Sequence, residues 1–216
     1  MPRVRMTPEE QAATRREVVE RAVARIYAEM QDLRAAIGFA EECITAQMGR
    51  VRSQGLMYPV PGVELGPGPE AEAAYVGDVI GSLFWRSFFV AFYSQFEAHL
   101  DMLCRELRDS LRCQIKLRDL KGTGITRSSL FLTKVVGIRA PVDDTWKAIA
   151  SYAKVRNAIA HAGGIVGRDE AKAVVDILAR SGGRLDTAGL VHLGPRTIED
   201  VVRTFDSFWR ELERGL

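Results

Sequence analysis

The chain has 216 residues, of which 47% are hydrophobic and 27% charged, and its net charge is +2, a composition typical of an ordinary globular protein with one core. Its three cysteines, Cys43, Cys104 and Cys113, are an odd number without C-x-x-C spacing, which argues against a disulfide framework or a zinc site. The most apolar window contains Arg86 and follows Asp78, so it lacks the ~20 uninterrupted apolar residues of a membrane span.

The N-terminal segment predicts a long helix. It has no apolar run of the signal-peptide type, and we therefore expect a cytoplasmic protein. Thr7, Pro8 and Glu10 together predict a helix start, since Thr is a favoured N-cap, Pro suits the first helical position and Glu completes a capping box. Apolar residues then alternate in steps of four and three, which predicts a coiled-coil-like helix of about residues 8–52. The apolar seam comprises Val19, Val23, Ile26, Met30, Leu33, Ile37, Ala40 and Ile44.

A Pro/Gly-rich segment, residues 53–70, has no periodicity and is interpreted as a linker. Residues 1–52 are accordingly predicted to form an N-terminal arm and residues 71–216 a helical domain. Because a helix of this length outruns a compact domain, we expect the arm to pack along the domain or against a partner helix.

The stretch from Ile80 to Leu111 has a wide apolar face and predicts a central bundle helix. That face consists of Leu83, Phe84, Phe88, Ala91, Phe92, Phe96, Leu100, Leu103, Leu107 and Leu111. Residues 105–139 hold nine basic and three acidic side chains, a net charge of +6. Such a basic stretch can contact phosphates, although a solvated helix face would have the same composition.

The remaining segments also predict helices. A short helix over residues 130–136 ends at Gly137, and a longer one begins near Asp144 and ends at Gly163 and Gly164. Its apolar stripe is predicted to contain Trp146, Ile149, Ala150, Ala153, Asn157 and Ala160. Further helices are predicted over residues 169–180 and 197–213, and residues 182–195 suit a small hairpin. The predicted fold class is all-α, a bundle of five to six helices with one short β-hairpin.

Most familiar catalytic patterns are missing from this sequence. No P-loop, dinucleotide-binding glycine motif, zincin H-E-x-x-H or hydrolase G-x-S-x-G occurs. Among the histidines, only His99 lies near acids, and Glu97 and Asp101 are two residues away and thus on other helix faces. We predict no metal site and no cofactor.

One constellation stands out near the end of a predicted helix. Arg156, Asn157 and His161 form an Arg-Asn-x-x-x-His pattern, and Asn157 is the only Asn in the chain. Together with the segments FEAHLDMLC, LRDLKGTGI, SSLFLTKVVGI and YAKVRNAIAHAGG, this pattern resembles the HEPN (higher eukaryotes and prokaryotes nucleotide-binding) superfamily. The resemblance spans about residues 80–166 and leaves the N-terminal helix outside.

The resemblance implies a helical bundle that forms a homodimer and brings two motifs together. It implies a metal-independent endoribonuclease acting on RNA as a toxin or antiviral-defence effector, with an antitoxin or defence-system protein as a further partner. Because other members of the superfamily serve as non-catalytic binding modules, a dimerising or nucleotide-binding protein without catalysis is the alternative.

The residue types independently suit RNA cleavage by internal transfer. The imidazole of His161 can move a proton near neutral pH, the guanidinium of Arg156 can neutralise charge on the phosphorane, and the amide of Asn157 can orient either group. Asn157 and His161 lie ~40° apart around the helix but Arg156 and His161 ~140° apart, so Arg156 must reach around the helix or serve the other protomer. Glu97 is a candidate counter-charge that holds Arg156 in place.

Lys121, Arg127 and Lys154 are the candidate RNA-contacting residues outside the motif. A simpler interpretation stays open for the motif itself: Asn157 and His161 would satisfy the C-terminus of their helix, where an imidazolium also suits the helix dipole, and Arg156 would pair with Glu97 for structural reasons alone.

Overall fold

The structure, a computed structural model, describes residues 6–56, 68–138 and 144–216. The fold is all-α, as predicted. Its α-helices are α1 (Pro8–Gln54), α2 (Pro69–Tyr75), α3 (Ser82–Ser110), α4 (Gly124–Leu130), α5 (Asp144–Ala162), α6 (Arg168–Ser181) and α7 (Pro195–Arg214). Wider π-helical turns join α2 to α3 (Val76–Gly81) and extend α4 (Phe131–Val136), and a short 3-10 helix spans Leu117–Asp119.

The predicted hairpin is present between α6 and α7. Strands β1 (Arg184–Leu185) and β2 (Val191–His192) pair antiparallel, with Leu185 opposite Val191. This pair is the whole sheet among the described residues.

None of the described helices combines the length and apolar composition that a membrane crossing needs.

The start of α1 has the predicted capping box. The Thr7 main-chain N–H donates to the Glu10 carboxylate at 2.7 Å, and the Glu10 N–H donates to the Thr7 hydroxyl at 3.2 Å. The helix ends at Gln54, two residues beyond the predicted end, because Gly55 adopts a left-handed conformation with φ 74°. The apolar seam is largely buried, although Leu33 and Ile44 are only partly so.

The chain divides into two compact units, and helices α1, α3, α5 and α7 each contribute to both. The first unit contains residues up to 31, 92–153 and 202–216, and the second contains 32–91 and 154–201. The division into arm, linker and domain stays a prediction. Residues 57–67 of the predicted linker, and residues 139–143 before α5, lie outside the described residues.

The first unit has an aromatic core. The Phe96 ring of α3 stacks on Phe205 of α7 with centroids 4.3 Å apart, and Phe208 and Trp209 pack around it at 5.3 and 5.4 Å. Residues 8–31 of α1 are attached to the same unit, since the Arg25 guanidinium donates to Glu106 of α3 at 2.8 Å. This part of α1 therefore packs along helices of its own chain.

The second unit contains the latter part of α1, α2, α6 and the hairpin. The end of α1 packs on α2 and the turn after it through a small apolar cluster. Its members are Met48, Val51, Leu56, Ala73 and Val76.

Two predicted apolar faces are shifted in the structure. In α3, Leu83 and Phe84 are exposed, and Trp85 and Phe89 are buried instead. In α5, the prediction that Asn157 and Ala160 continue the buried stripe is wrong, because both are exposed. The buried face of α5 is formed by Ile149, Tyr152, Val155 and Ala158. Tyr and Val bury more apolar area than the alanines of the predicted stripe, which favours this orientation of the helix.

Candidate functional site

The motif residues lie on the last turns of α5, in the second unit. Asn157 and His161 are exposed, whereas Arg156 and Lys154 are half-buried. Asn157 and His161 are four positions apart, so their side chains occupy neighbouring positions on one face of the helix. This face is open to solvent and can be reached by a substrate.

The guanidinium of Arg156 reaches around the helix towards that face. Its Nη1 donates a hydrogen bond of 2.9 Å to Oδ1 of Asn157. This contact assigns which amide atom of Asn157 is oxygen and which is nitrogen. The NH₂ group, on the other side of the amide, therefore points away from Arg156. The Arg156 guanidinium thus reaches the side of α5 that carries Asn157 and His161.

Two glycines in the left-handed region end α5. Gly163 has φ 63° and Gly164 φ 95°. The Gly164 N–H donates to the Ala158 carbonyl at 2.9 Å, and the Ile165 N–H donates to the Ala162 carbonyl at 3.0 Å. These main-chain bonds satisfy the Ala158 and Ala162 carbonyls without any side chain of the motif.

The hairpin and Arg86 hold the end of α5 in place. The Val191 N–H donates to the Gly164 carbonyl at 2.9 Å, and Ile165 forms an isolated bridge with Leu190. The Arg86 guanidinium of α3 donates to the Gly163 carbonyl at 3.2 Å. A side chain at Gly164 would place its Cβ 2.7 Å from Arg86 Nη1, so it would displace the Arg86 guanidinium.

These contacts bear on the simpler interpretation of the motif. Main-chain N–H groups donate to the Ala158 and Ala162 carbonyls, and Arg86 donates to the Gly163 carbonyl. No hydrogen bond to the His161 imidazole is found within the described ranges. Among the described residues, neither the His161 nor the Asn157 side chain caps the end of the helix.

Glu97 lies on α3 in the first unit, where it is half-buried. Its Oε1 is 2.5 Å from the position that a Cβ on Gly124 would occupy. Gly124, with φ 50°, therefore allows the carboxylate to approach the first turn of α4 closely. The pairing of Glu97 with Arg156 stays a prediction.

Arg127 lies on α4 and lines a cleft in the first unit, which we call the basic cleft. It has a volume of about 440 Å³. Its lining consists of Asp101, Arg105, Arg108, Lys116, Leu117, Arg118 and Arg127. Five cationic side chains thus face one carboxylate.

Several of these side chains are held by neighbouring groups. Arg127 donates from Nε and Nη2 to the Gly122 carbonyl at 3.0 and 2.8 Å, and Arg108 donates from the same two atoms to Asp109 Oδ1 at 2.8 and 2.6 Å. Lys121 is exposed and is not among the residues lining the cleft. Of the predicted RNA-contacting residues, only Arg127 belongs to it.

The other two histidines have structural partners. His99 is buried and its Nε2 lies 2.7 Å from the Glu29 carboxylate. In the hairpin, the Nε2 of His192 lies 2.9 Å from Asp186, and this hydrogen bond, with the N–H groups of Leu190 and Ala188, holds the pKa of Asp186 below its ordinary value. Within the described ranges, His, Cys, Asp and Glu side chains do not gather in threes as metal ligands would.

The sequence did not predict the contact of Arg86 with the end of α5. It also did not single out four cations of the cleft, namely Arg105, Arg108, Lys116 and Arg118. The cleft cations were included in the charge count of residues 105–139, but their convergence depends on the turn between α3 and α4.

No family model, curated protein or solved structure matches the chain. Any assignment of function to this chain therefore rests on its own residues and their geometry.

Proposed function

We propose that the chain is a metal-independent endoribonuclease of the HEPN type that cleaves RNA by attack of a ribose 2′-hydroxyl on the adjacent phosphorus. The observation that supports this most is the bond from Arg156 to Asn157, which directs a guanidinium towards the exposed face of α5 that carries His161. Such a reaction uses a cationic group that donates hydrogen bonds to the phosphate and an imidazole that transfers a proton, and here both lie on one open face.

Each side chain has a role in this reaction. His161 takes the proton of the 2′-hydroxyl or protonates the departing 5′-oxygen, since an imidazole exchanges protons near neutral pH. Arg156 neutralises charge on the non-bridging oxygens of the phosphorane. Asn157 orients Arg156 through Oδ1 and offers its NH₂ to the phosphate. The nucleophile is part of the substrate, so the cleavage step needs no metal-bound water.

A homodimer extends the proposal. General acid and general base act on opposite sides of the phosphorus, and the motif of one chain has a single histidine. A second protomer would supply the second imidazole. We propose a cytoplasmic toxin or antiviral-defence effector of this kind, restrained by a partner protein until it is needed.

The test compares two histidine variants with the wild type. End-labelled RNA is incubated with wild type, His161→Ala and His192→Gln, after circular dichroism and thermal melting have shown that both variants fold. The proposal predicts a loss of ~10²-fold or more for His161→Ala, the usual contribution of a positioned acid or base. His192→Gln, in the same unit, should retain the wild-type rate because its partner Asp186 serves the hairpin. Equal rates in all three proteins would contradict the proposal.

The alternative is a binding protein without catalysis. The basic cleft favours it, because a cluster of cations in the first unit binds anions whether or not the motif reacts. Expression in cells separates the two functions: growth arrest that His161→Ala relieves supports the nuclease, and arrest of equal strength with both proteins supports the binding protein.

A further inference from the structure

We propose that the basic cleft is a binding site for the phosphodiester backbone of single-stranded RNA, and that it holds the RNA without contributing to cleavage. The inference rests on the proposed function in naming RNA as the anion. Its test uses an oligonucleotide that cannot be cleaved by 2′-hydroxyl attack, so binding is measured independently of catalysis.

The charge of the cleft is the first support. Five cations line it, and its one carboxylate is already engaged: Asp101 Oδ1 accepts a 2.9 Å hydrogen bond from the Ser128 hydroxyl, and Oδ2 lies 3.5 Å from Arg105. Arg105 is thus paired with Asp101, and Arg108 is paired with Asp109 at 2.6 Å. The other three cations, Lys116, Arg118 and Arg127, form no ion pair within the described ranges and carry the uncompensated positive charge of the cleft. An anion with several charges in a row is the complementary ligand.

The way in which two arginines are held is the second support. Arg127 is fixed by the Gly122 carbonyl and Arg108 by Asp109, each through Nε and Nη2. The remaining N–H groups of each guanidinium stay available as donors. Because part of the side-chain entropy is already lost, less is lost again when an anion binds.

The lining also indicates which part of a nucleic acid binds. Its only apolar member is Leu117, and no aromatic ring on which a base could stack is among the described lining residues. Contacts in the cleft would therefore be made to phosphates, and binding would depend little on sequence. Single strands fit better than duplexes, since their backbone can bend into a cleft of about 440 Å³.

The experiment measures binding of a short fluorescent 2′-O-methyl oligonucleotide by anisotropy over a series of salt concentrations. The test variant is Arg105→Gln with Arg118→Gln, two exposed cleft residues. The matched control is Arg21→Gln with Arg214→Gln. These two exposed arginines belong to the same unit and do not line the cleft, and their replacement removes the same amount of charge.

The expected result is a rise in Kd of about tenfold or more for the cleft variant, as two charge-assisted contacts are lost. The slope of log K against log salt should fall by about 0.7 for each phosphate contact removed. The control variant should stay close to wild type in both quantities.

Three results would overturn the inference: no binding of the oligonucleotide by the wild type, equal loss in cleft and control variants, or tighter binding of polyglutamate than of the oligonucleotide, which would indicate an acidic protein partner. If the wild type cleaves RNA but the cleft variant binds the oligonucleotide as tightly as the wild type, the binding site in the cleft is contradicted and the proposed nuclease is not. Binding that depends on the cleft, with no cleavage by the wild type, would contradict the proposed nuclease alone.

Discussion

The Arg156 guanidinium donates a hydrogen bond of 2.9 Å to the side-chain oxygen of the residue that follows it, Asn157. Adjacent residues on a helix point ~100° apart, so this contact requires the long arginine side chain to curve around α5. It removes the geometric difficulty that the sequence raised, since Arg156 reaches the face of Asn157 within its own chain.

This contact predicts the behaviour of Asn157→Asp. The carboxylate can still accept from Arg156, but it has no N–H donor and repels a phosphate. RNA cleavage should fall by about tenfold or more, whereas the melting temperature should change little because Asn157 is exposed. Cleavage assays and thermal melting measure the two effects, and undiminished cleavage would show that the amide has no part in the reaction.

Arg156→Lys tests the guanidinium itself. A compact ammonium keeps the charge but cannot reproduce two parallel N–H contacts to a phosphate, so turnover should fall although the charge is unchanged. The measurement is the single-turnover cleavage rate at saturating enzyme. A rate equal to that of the wild type would mean that Arg156 contributes only its charge.

A pair of glycine variants tests how the end of α5 is positioned. Gly163→Ala should lower the unfolding free energy by about 1–2 kcal/mol, the usual cost of placing an L-residue in the left-handed conformation. No steric cost is added, because nothing lies within 4 Å of its Cβ position. Gly164→Ala should cost more, because its φ of 95° lies further from the left-handed minimum than that of Gly163. It should also reduce cleavage, since its Cβ would displace the Arg86 guanidinium, which it would meet at 2.7 Å, and press on Leu190 at 3.1 Å. Urea unfolding and cleavage assays give both values. Equal effects of the two variants would contradict the role of these contacts.

The core of the first unit offers a stability prediction. Phe96→Ala should destabilise the protein by about 3–5 kcal/mol, because Phe96 is buried among Phe205, Phe208 and Trp209. The matched control is Phe39→Ala on α1, where the side chain is 70% exposed and the change should stay within about 0.5 kcal/mol. Denaturant unfolding monitored by circular dichroism compares them, and similar losses would contradict this core.

A pH dependence follows from Glu29. Its carboxylate accepts hydrogen bonds from His99 at 2.7 Å and from Gln95 at 3.1 Å, and chiefly the His99 bond holds the pKa of Glu29 below its ordinary value of 4.5. A lowered pKa in the folded state means that the stabilisation is present above pH 4.5 and is lost as the pH falls through the folded-state pKa.

The variant Glu29→Gln lacks this ionisation. The difference in melting temperature between wild type and Glu29→Gln should therefore be largest near neutral pH and should shrink as the pH falls below 4.5. Thermal melting of both proteins across the acid range measures it. A difference that stays constant over this range would contradict the role of the hydrogen bond between Glu29 and His99.

Local signals in the sequence predicted the helices well. The capping box of Thr7 and Glu10, the spacing of the α1 seam and the glycines after α5 are each determined within a few residues. The buried face of α5 was not predicted correctly, because the choice between Tyr152 and Ala153 depends on what packs against the helix. Periodicity alone does not contain that information.

The candidate site was predicted in part for a similar reason. The pattern of Arg156, Asn157 and His161 is local and readable, but the bond between the first two depends on a side-chain conformation. The basic cleft is assembled from the end of α3, the following turn and α4. A charge count of residues 105–139 therefore indicated a basic stretch, but neither a cleft nor the cations that line it.

The chemistry of the RNA ends tests the central claim most directly. Purified protein is incubated with end-labelled RNA in the presence of EDTA, and the new ends are mapped enzymatically. If the 2′-hydroxyl attacks with His161 transferring the proton, products carry 2′,3′-cyclic phosphate and 5′-hydroxyl ends, EDTA leaves the rate unchanged, and a 2′-deoxy residue at the scissile position abolishes cleavage. Cleavage that requires magnesium and leaves 5′-phosphate ends would contradict the mechanism and move the active site away from residues 156–161.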